Sequence, residues 1–313
     1  MKILVTGGTG MIGSAFREIK TPHELILVGS KDFDLLDKSQ VENMFLLHRP
    51  DAVIHLAARV GGVKGNMRYV ADFFEENIAI NSNVLSVARV HSLNHNPDLK
   101  VLSLLSTCIY PDKVKYPLTV DQIHYGPPHE SNFGYAYAKR MLDVHAKAIR
   151  SQYGLKWISA VPNNVYGEND NFSYENSHVI PALIRKIYEG KLKGNKVTLW
   201  GDGSPLREFT YSSDIAEVLL WMIENYDKEE PLNIGTDEEV SIKEISEIIC
   251  DFFDYPRDMI EWDISQPKGQ FKKPSSCEKL NELNPEYEFT SLKEGIRKTC
   301  MWFSENYPNI RSK

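Results

Sequence analysis

The chain has 313 residues, 42% hydrophobic and 25% charged, which suits a globular enzyme built as one large or two modest domains. Its formal net charge of −7 disfavours phosphate backbones, so nucleic acid is not an expected partner, whereas a small phosphorylated ligand remains compatible. No apolar run approaches the roughly 20 residues that span a bilayer, the glycines from position 7 arrive too early for a signal peptide, and Cys108, Cys250, Cys277 and Cys300 form no CxxC pair, so a cytoplasmic chain with reduced thiols and no metal is expected.

Short runs at 3–5, 25–28, 52–58 (AVIHLAA), 101–105 and 158–161 are apolar on both faces and bounded by turn or polar residues. Buried parallel strands have that pattern. The stretches between them are long enough for helices, and 77–90 carries apolar residues at helical spacing. The alternation predicts an α/β fold with a doubly wound parallel sheet of Rossmann type. After Tyr166-Gly167 the chain turns polar, Asn-rich and aromatic. A helix is predicted over 179–189, strands over 197–200 and 232–234, and a helix over 241–253. The expected division is a dinucleotide-binding domain over 1–166 and a smaller, mainly substrate-binding α/β domain over 167–313. The late strands near 198–200 and 232–234 are candidates to return to the main sheet.

The first strand runs directly into Gly7-Gly8-Thr9-Gly10-Met11-Ile12-Gly13. Glycine allows the tight turn, the close approach of backbone to a pyrophosphate, and close packing of the following helix. The strand–turn–helix context is the one a dinucleotide cradle requires. The second strand ends at Gly29-Ser30-Lys31-Asp32. An acidic strand tip favours the ribose hydroxyl of NAD, but Ser30 and Lys31 come first and suit a 2′-phosphate. NADP(H) is therefore the expected cofactor; the alternative is a solvated Lys31 with Asp32 on the ribose.

Tyr135 and Lys139, in GYAYAK, lie four apart and share a helix face. A tyrosine near its ordinary pKa of ~10 is a poor acid–base group at neutrality, and a nearby ammonium is expected to lower that pKa. The pair then exchanges a proton with an alcohol or ketone oxygen. Ser106 follows the fourth strand, where ligand crevices of open sheets lie, and is placed to hydrogen-bond the same oxygen.

Together these segments resemble the extended short-chain dehydrogenase/reductase family over nearly the whole chain. The specific stretches are AARVGGVKGN (57–66), LLSTCIYPDK (104–113), GPPHESNFGYAYAKR (126–140), DNFSYENSHVIPALIRK (170–186) and WGDGSPLREF (200–209). They are similar to members that act on a GDP-linked 4-keto-6-deoxyhexose. The resemblance implies 3,5-epimerisation of GDP-4-keto-6-deoxy-D-mannose followed by NADPH-dependent reduction of the 4-ketone. It implies a Ser106, Tyr135, Lys139 reduction triad, Cys108 as the base that removes a proton beside the ketone, and His178 as the acid that returns one. It further implies cofactor contacts from Leu104, Leu105, Thr107, Lys139, Pro162, Asn163, Asn164, Val165 and His178, substrate contacts from Lys186, Trp200 and Arg207, and a homodimer. A guanidinium at Arg207 suits a diphosphate, and Trp200 offers a flat apolar face. The chain departs from the pattern at Thr9, where some bacterial members have arginine, and at Lys268, where an aspartate is common. The competing readings are a 4-epimerase or 4,6-dehydratase for nucleotide sugars and a non-catalytic dinucleotide sensor. A dehydratase would show acidic and basic groups directly after the strand-four serine or threonine, where this chain has Cys108. A sensor would have lost Tyr135 or Lys139.

Overall fold

A computed structural model describes residues 1–265 and 272–312, so Lys268 lies outside the described residues. The first half alternates β1 (Lys2–Thr6), α1 (Met11–Ala15), β2 (Glu24–Val28), α2 (Lys38–His48), β3 (Ala52–His55), α3 (Val63–Arg68), α4 (Val70–Asn94), β4 (Lys100–Leu104), α5 (Phe133–Tyr153) and β5 (Ile158–Pro162). The second half runs β6 (Asn164–Tyr166), α6 (Val179–Lys193), β7 (Val197–Trp200), β8 (Leu206–Tyr211), α7 (Ser212–Asn225), β9 (Leu232–Ile234), β10 (Glu239–Ser241), α8 (Ile242–Phe252), β11 (Ile260–Asp263), α9 (Glu278–Leu283) and α10 (Leu292–Asn306).

A parallel sheet in the order β2-β1-β3-β4-β5-β9 forms the centre. Its strands are apolar on both faces because both faces are covered. Leu4, Val53 and Val101 point into one core with α2, α4 and α5, while Ile3, Val5, Ile54 and Leu102 point into a second core with α7. A third core joins α6, α8 and α10 with the small sheets β10-β8-β6 and β11-β7.

The sheet explains three departures from the expected elements. The strand over 52–58 ends at His55, and the rest of the apolar run passes beneath the glycine turn, where a methyl on Gly7 would lie 2.9 Å from the Ala57 nitrogen. The helix expected over 77–90 extends over 70–94; its earlier turns bury Phe73 and the Asn77 amide, which donates to the Phe73 carbonyl at 2.6 Å. Of the two late strands, 232–234 pairs with β5, but 197–200 does not return to the main sheet and pairs with β11 instead. Val197 and Leu199 are buried while Thr198 and Trp200 are exposed, so β7 has one face to cover, whereas all three residues of β9 are buried.

Among the described residues no helix is long and apolar enough to cross a membrane.

Candidate active site

The glycine turn is shaped by contact. Gly7 has φ +73°, the left-handed region that glycine enters without strain. A methyl on Gly13 would sit 2.2 Å from the Gly7 carbonyl oxygen, and one on Gly8 would sit 2.8 Å from the Leu27 backbone. Gly10 is different: beyond the Gly7 oxygen at 3.2 Å, a methyl there would meet only the Arg311 guanidinium, at 4.0 Å. The turn thus turns three glycines, Gly7, Gly8 and Gly13, inward for packing and one, Gly10, outward to a cleft of about 570 Å³, a size suited to a dinucleotide-sized ligand.

Most of the predicted cofactor residues line this cleft: Gly7, Thr9, Gly10, Met11, Ile12 and Gly13 from the turn, Ser30 from the second strand end, Leu104, Leu105 and Thr107 from the fourth, and Pro162, Asn163, Asn164 and Val165 from the fifth. Gly8, Lys31 and Asp32 do not. The Gly8 amide donates to Val28 within the fold at 2.8 Å. The Asp32 carboxylate folds back to accept from the Gly29 amide at 2.8 Å, and Lys31 is exposed beside it. Asn163 reaches the cleft, but its side chain ties strands together, accepting from Thr210 at 2.7 Å and donating to the Thr236 carbonyl at 3.0 Å.

Ser106 follows β4, two strands across the sheet from the glycine turn, and together with Tyr135, Lys139 and His178 it lines the other end of the same cleft. Helix α5 places Tyr135 and Lys139 on one face, and Gly134 lets the helix touch α4, since a methyl there would sit 2.5 Å from the Val70 carbonyl oxygen. Phe73 from α4 meets the Tyr135 ring edge-on at 6.5 Å. The buried Lys139 ammonium donates to the Leu104 carbonyl at 2.7 Å, and burial pulls its pKa down to about 8. Burial, and then the charge of Cys108, push Tyr135 well above the ordinary tyrosine range. The expectation that Lys139 lowers the tyrosine's pKa is therefore reversed: the phenol is desolvated while the ammonium is turned to a carbonyl.

Cys108 is half-buried behind Ser106, whose hydroxyl accepts from the Cys108 amide at 3.4 Å. Burial raises the thiol; the Ser106 hydrogen bond and the charges of Lys273 and Lys139 act against that rise. His178, just ahead of α6, is open to solvent at the cleft, and desolvation by the surrounding protein lowers its pKa.

A buried histidine joins the two ends. Asn81 donates to the Ala138 carbonyl at 3.4 Å, so its oxygen faces His55 Nε2, 3.1 Å away, as an acceptor. Nε2 then carries the proton, and Nδ1 accepts from the Thr6 hydroxyl at 2.8 Å. The neutral ring thereby ties the strand before the glycine turn to the helix that carries Lys139. Burial, then the charge of Lys139, push its pKa down to about 3. The unfolded chain takes up this proton near 6.5, so His55 weakens the fold as pH drops below that value, by up to ~1.4 kcal/mol per unit until about 3. Asp170 and Glu208, whose carboxyls burial pushes up to about 7, tilt stability the opposite way. Urea unfolding of wild type and His55→Leu between pH 7 and pH 4 should therefore show a shallower acid loss in the variant; parallel curves would refute the assignment.

The predicted substrate residues separate into two places. Arg207 lines the cleft. Lys186 and Trp200 lie beside one another outside its lining, with the Lys186 ammonium donating to the Thr198 carbonyl at 3.3 Å. Three residues at the cleft were not singled out in the sequence, although Arg59 and Asp170 fall within the resembling stretches 57–66 and 170–186. Arg59 lines it, paired with Glu76 and stacked 5.0 Å over Phe73. Asp170 is 5% exposed with one oxygen unpartnered among the described residues, and Arg311 faces it from the C-terminal segment. They come from segments far apart in the chain, and only the fold brings them together.

The chain matches the model of the NAD dependent epimerase/dehydratase family over residues 3–235. It is 40% identical to a GDP-L-fucose synthase of Dictyostelium discoideum over 316 residues, covering 99% of this chain and 97% of that one. It is equally 40% identical to a probable GDP-L-fucose synthase of Drosophila melanogaster over 324 residues, with 99% of each chain covered. Among solved structures, a GDP-L-fucose synthetase from Naegleria fowleri bound to NADP superposes with a TM-score of 0.90 at 40% identity, covering 99% of this chain and 94% of that one.

Proposed function

The chain belongs to the NAD dependent epimerase/dehydratase family, and we propose that within it this protein makes GDP-L-fucose from GDP-4-keto-6-deoxy-D-mannose. The observation that carries the reading is one cleft with a glycine turn at one end and, at the other, Ser106, Tyr135, Lys139 and His178, with Cys108 close enough for its charge to bear on Tyr135 and Lys139. A reductase alone needs the first three groups. Inverting the two centres that flank a ketone needs two further proton-transfer groups at separate places. Cys108 and His178 supply them.

The ketone at carbon 4 acidifies the protons on carbons 3 and 5. Cys108, as thiolate, removes such a proton, and the Ser106 and Tyr135 hydroxyls donate hydrogen bonds to the oxygen on which negative charge develops. His178 returns a proton to the opposite face, which inverts the centre. NADPH, when bound, supplies hydride to carbon 4. Tyr135 then gives its proton to the ketone oxygen, with Lys139 beside it on the same helix face. The inward glycines and the outward Gly10 fit a dinucleotide laid along the strand ends. Ser30 is the group at the second strand end that faces a 2′-phosphate.

The same proposal includes the division of labour at residue 166, with α7 and β9 as later returns to the dinucleotide side, a cytoplasmic location, and a homodimer. Exposed apolar side chains on two packed helices, Val90 and Leu93 of α4 and Met141 and Val144 of α5, support the pairing of two copies. The enzymatic reading is tested by following the reduced-nicotinamide absorbance with GDP-4-keto-6-deoxy-D-mannose, using NADPH and NADH side by side. Substrate-dependent loss of absorbance, faster with NADPH and yielding GDP-L-fucose, is expected. No loss with either cofactor overturns the proposal.

A further inference from the structure

Trp200 is half-exposed, and two ammonium groups lie over it. The Lys186 nitrogen is 5.8 Å from the ring centre and the Lys64 nitrogen 4.3 Å. Lys64 is exposed on α3 and has no part in the chemistry above. Neither lysine forms an ion pair with a carboxylate among the described residues. An indole face attracts one cation, but two cations sharing it repel each other. Lys186 registers the conflict: its pKa is held below the ordinary lysine value by burial first and by Lys64 second. Two like charges on one ring, neither paired with a carboxylate, are relieved by an anion that contacts both.

The backbone sets where Lys64 leaves the chain. Two residues before Lys64, the Gly62 amide donates to the Asn176 carbonyl at 3.1 Å, and a methyl on Gly62 would lie 3.1 Å from the Ser177 carbonyl oxygen. A methyl on Gly65 would lie 3.1 Å from the Asn176 side-chain oxygen. The start of α3 is thus fastened against the loop that ends at His178, so Lys64 keeps a set register to the reacting end of the cleft. We propose that Lys64 completes an anion clamp with Lys186 across Trp200, and that the clamp takes the diphosphate of the nucleoside diphosphate sugar. The inference rests on the proposed substrate being such a sugar and adds a substrate-binding residue to it.

Calorimetric titration with GDP, UDP and NADP+ tests the clamp on wild type, Lys64→Met and Lys64→Arg. Methionine keeps the apolar stem and removes the charge, and the exposed position leaves the fold unaffected. Loss of one charged contact should weaken GDP about tenfold in Lys64→Met. Lys64→Arg should recover most of that loss, and NADP+ should bind all three proteins within about twofold. Raising the salt concentration should weaken GDP more in wild type than in Lys64→Met. Unchanged GDP affinity in Lys64→Met overturns the clamp, as does an equal loss in both variants, which would make the effect one of shape. A wild type that binds UDP but not GDP, with the same dependence on Lys64, keeps the clamp and overturns the guanine-nucleotide substrate. A wild type that binds neither overturns both.

Discussion

Tyr135→Phe should lower the rate of NADPH oxidation by about 10²–10⁴-fold, the usual worth of a positioned general acid, in a chain that stays folded. The phenyl ring preserves the edge-on contact with Phe73 and removes only the hydroxyl. In this site the phenol is held in its protonated form, because burial opposes ionisation and a Cys108 thiolate, when formed, opposes it further. It is thus set to give a proton, the direction that ketone reduction needs. Exchange of solvent deuterium into carbons 3 and 5 should persist at a reduced rate, since Ser106 can still hold the ketone oxygen. A variant that keeps more than about a tenth of the wild-type oxidation rate would remove Tyr135 from its role.

Cys108→Ser should do the converse. Deuterium entry at carbons 3 and 5, read by magnetic resonance or mass, should fall by roughly 10²–10⁴-fold, because a serine hydroxyl does not ionise in the range where a thiol does. The pH dependence carries the sign. Burial raises the Cys108 pKa, so the thiol is mostly protonated near neutrality and its reactive fraction grows about tenfold per pH unit below that pKa. Desolvation lowers the His178 pKa, so its acid form becomes scarce over the same interval. Removal of a proton should therefore accelerate with pH while return of a proton slows, giving a bell-shaped profile for inversion. Normal exchange in Cys108→Ser would show that another group is the base.

The parts of the fold legible in the sequence were those where burial is two-sided. Four of the first five strands announce themselves because no face of β1, β3, β4 or β5 is exposed, so the chain cannot alternate, whereas β2 lies at the sheet edge and is only partly buried. The late strands were ambiguous because at three or four residues only the outward positions tell them apart. Thr198 and Trp200 point out of β7, whereas Asn233 is buried in β9 by bonds from its amide to the Leu118 and Ser276 carbonyls at 3.0 and 3.1 Å. In the site, spacing alone brought Tyr135 and Lys139 together, since four residues on a helix fix a shared face. The direction of the Lys139 ammonium was not legible: it depends on the Leu104 carbonyl, 35 residues earlier in the chain. Asp32 stays out of the cleft lining for a local reason, the turn that lets its carboxylate cap Gly29. Lys64 and Asp170 lay inside the resembling stretches but no chemistry singled them out, and Arg311 had no motif to mark it.

The inward glycines of the turn have a bearing on how such a chain would decay. Gly13 meets Gly7, Gly8 meets Leu27, and Gly7 meets Ala57 so closely that a single methyl would displace backbone. These glycines are needed for the sheet and its first crossover to close, whether or not anything is ever turned over. Tyr135, Cys108 and His178 carry no comparable packing obligation of their backbone. A lineage released from selection for catalysis would thus shed its proton-transfer side chains first and keep its fingerprint glycines nearly to the end. In a descendant of this fold, the glycine turn testifies to folding, and only the side chains at the far end of the cleft testify to work.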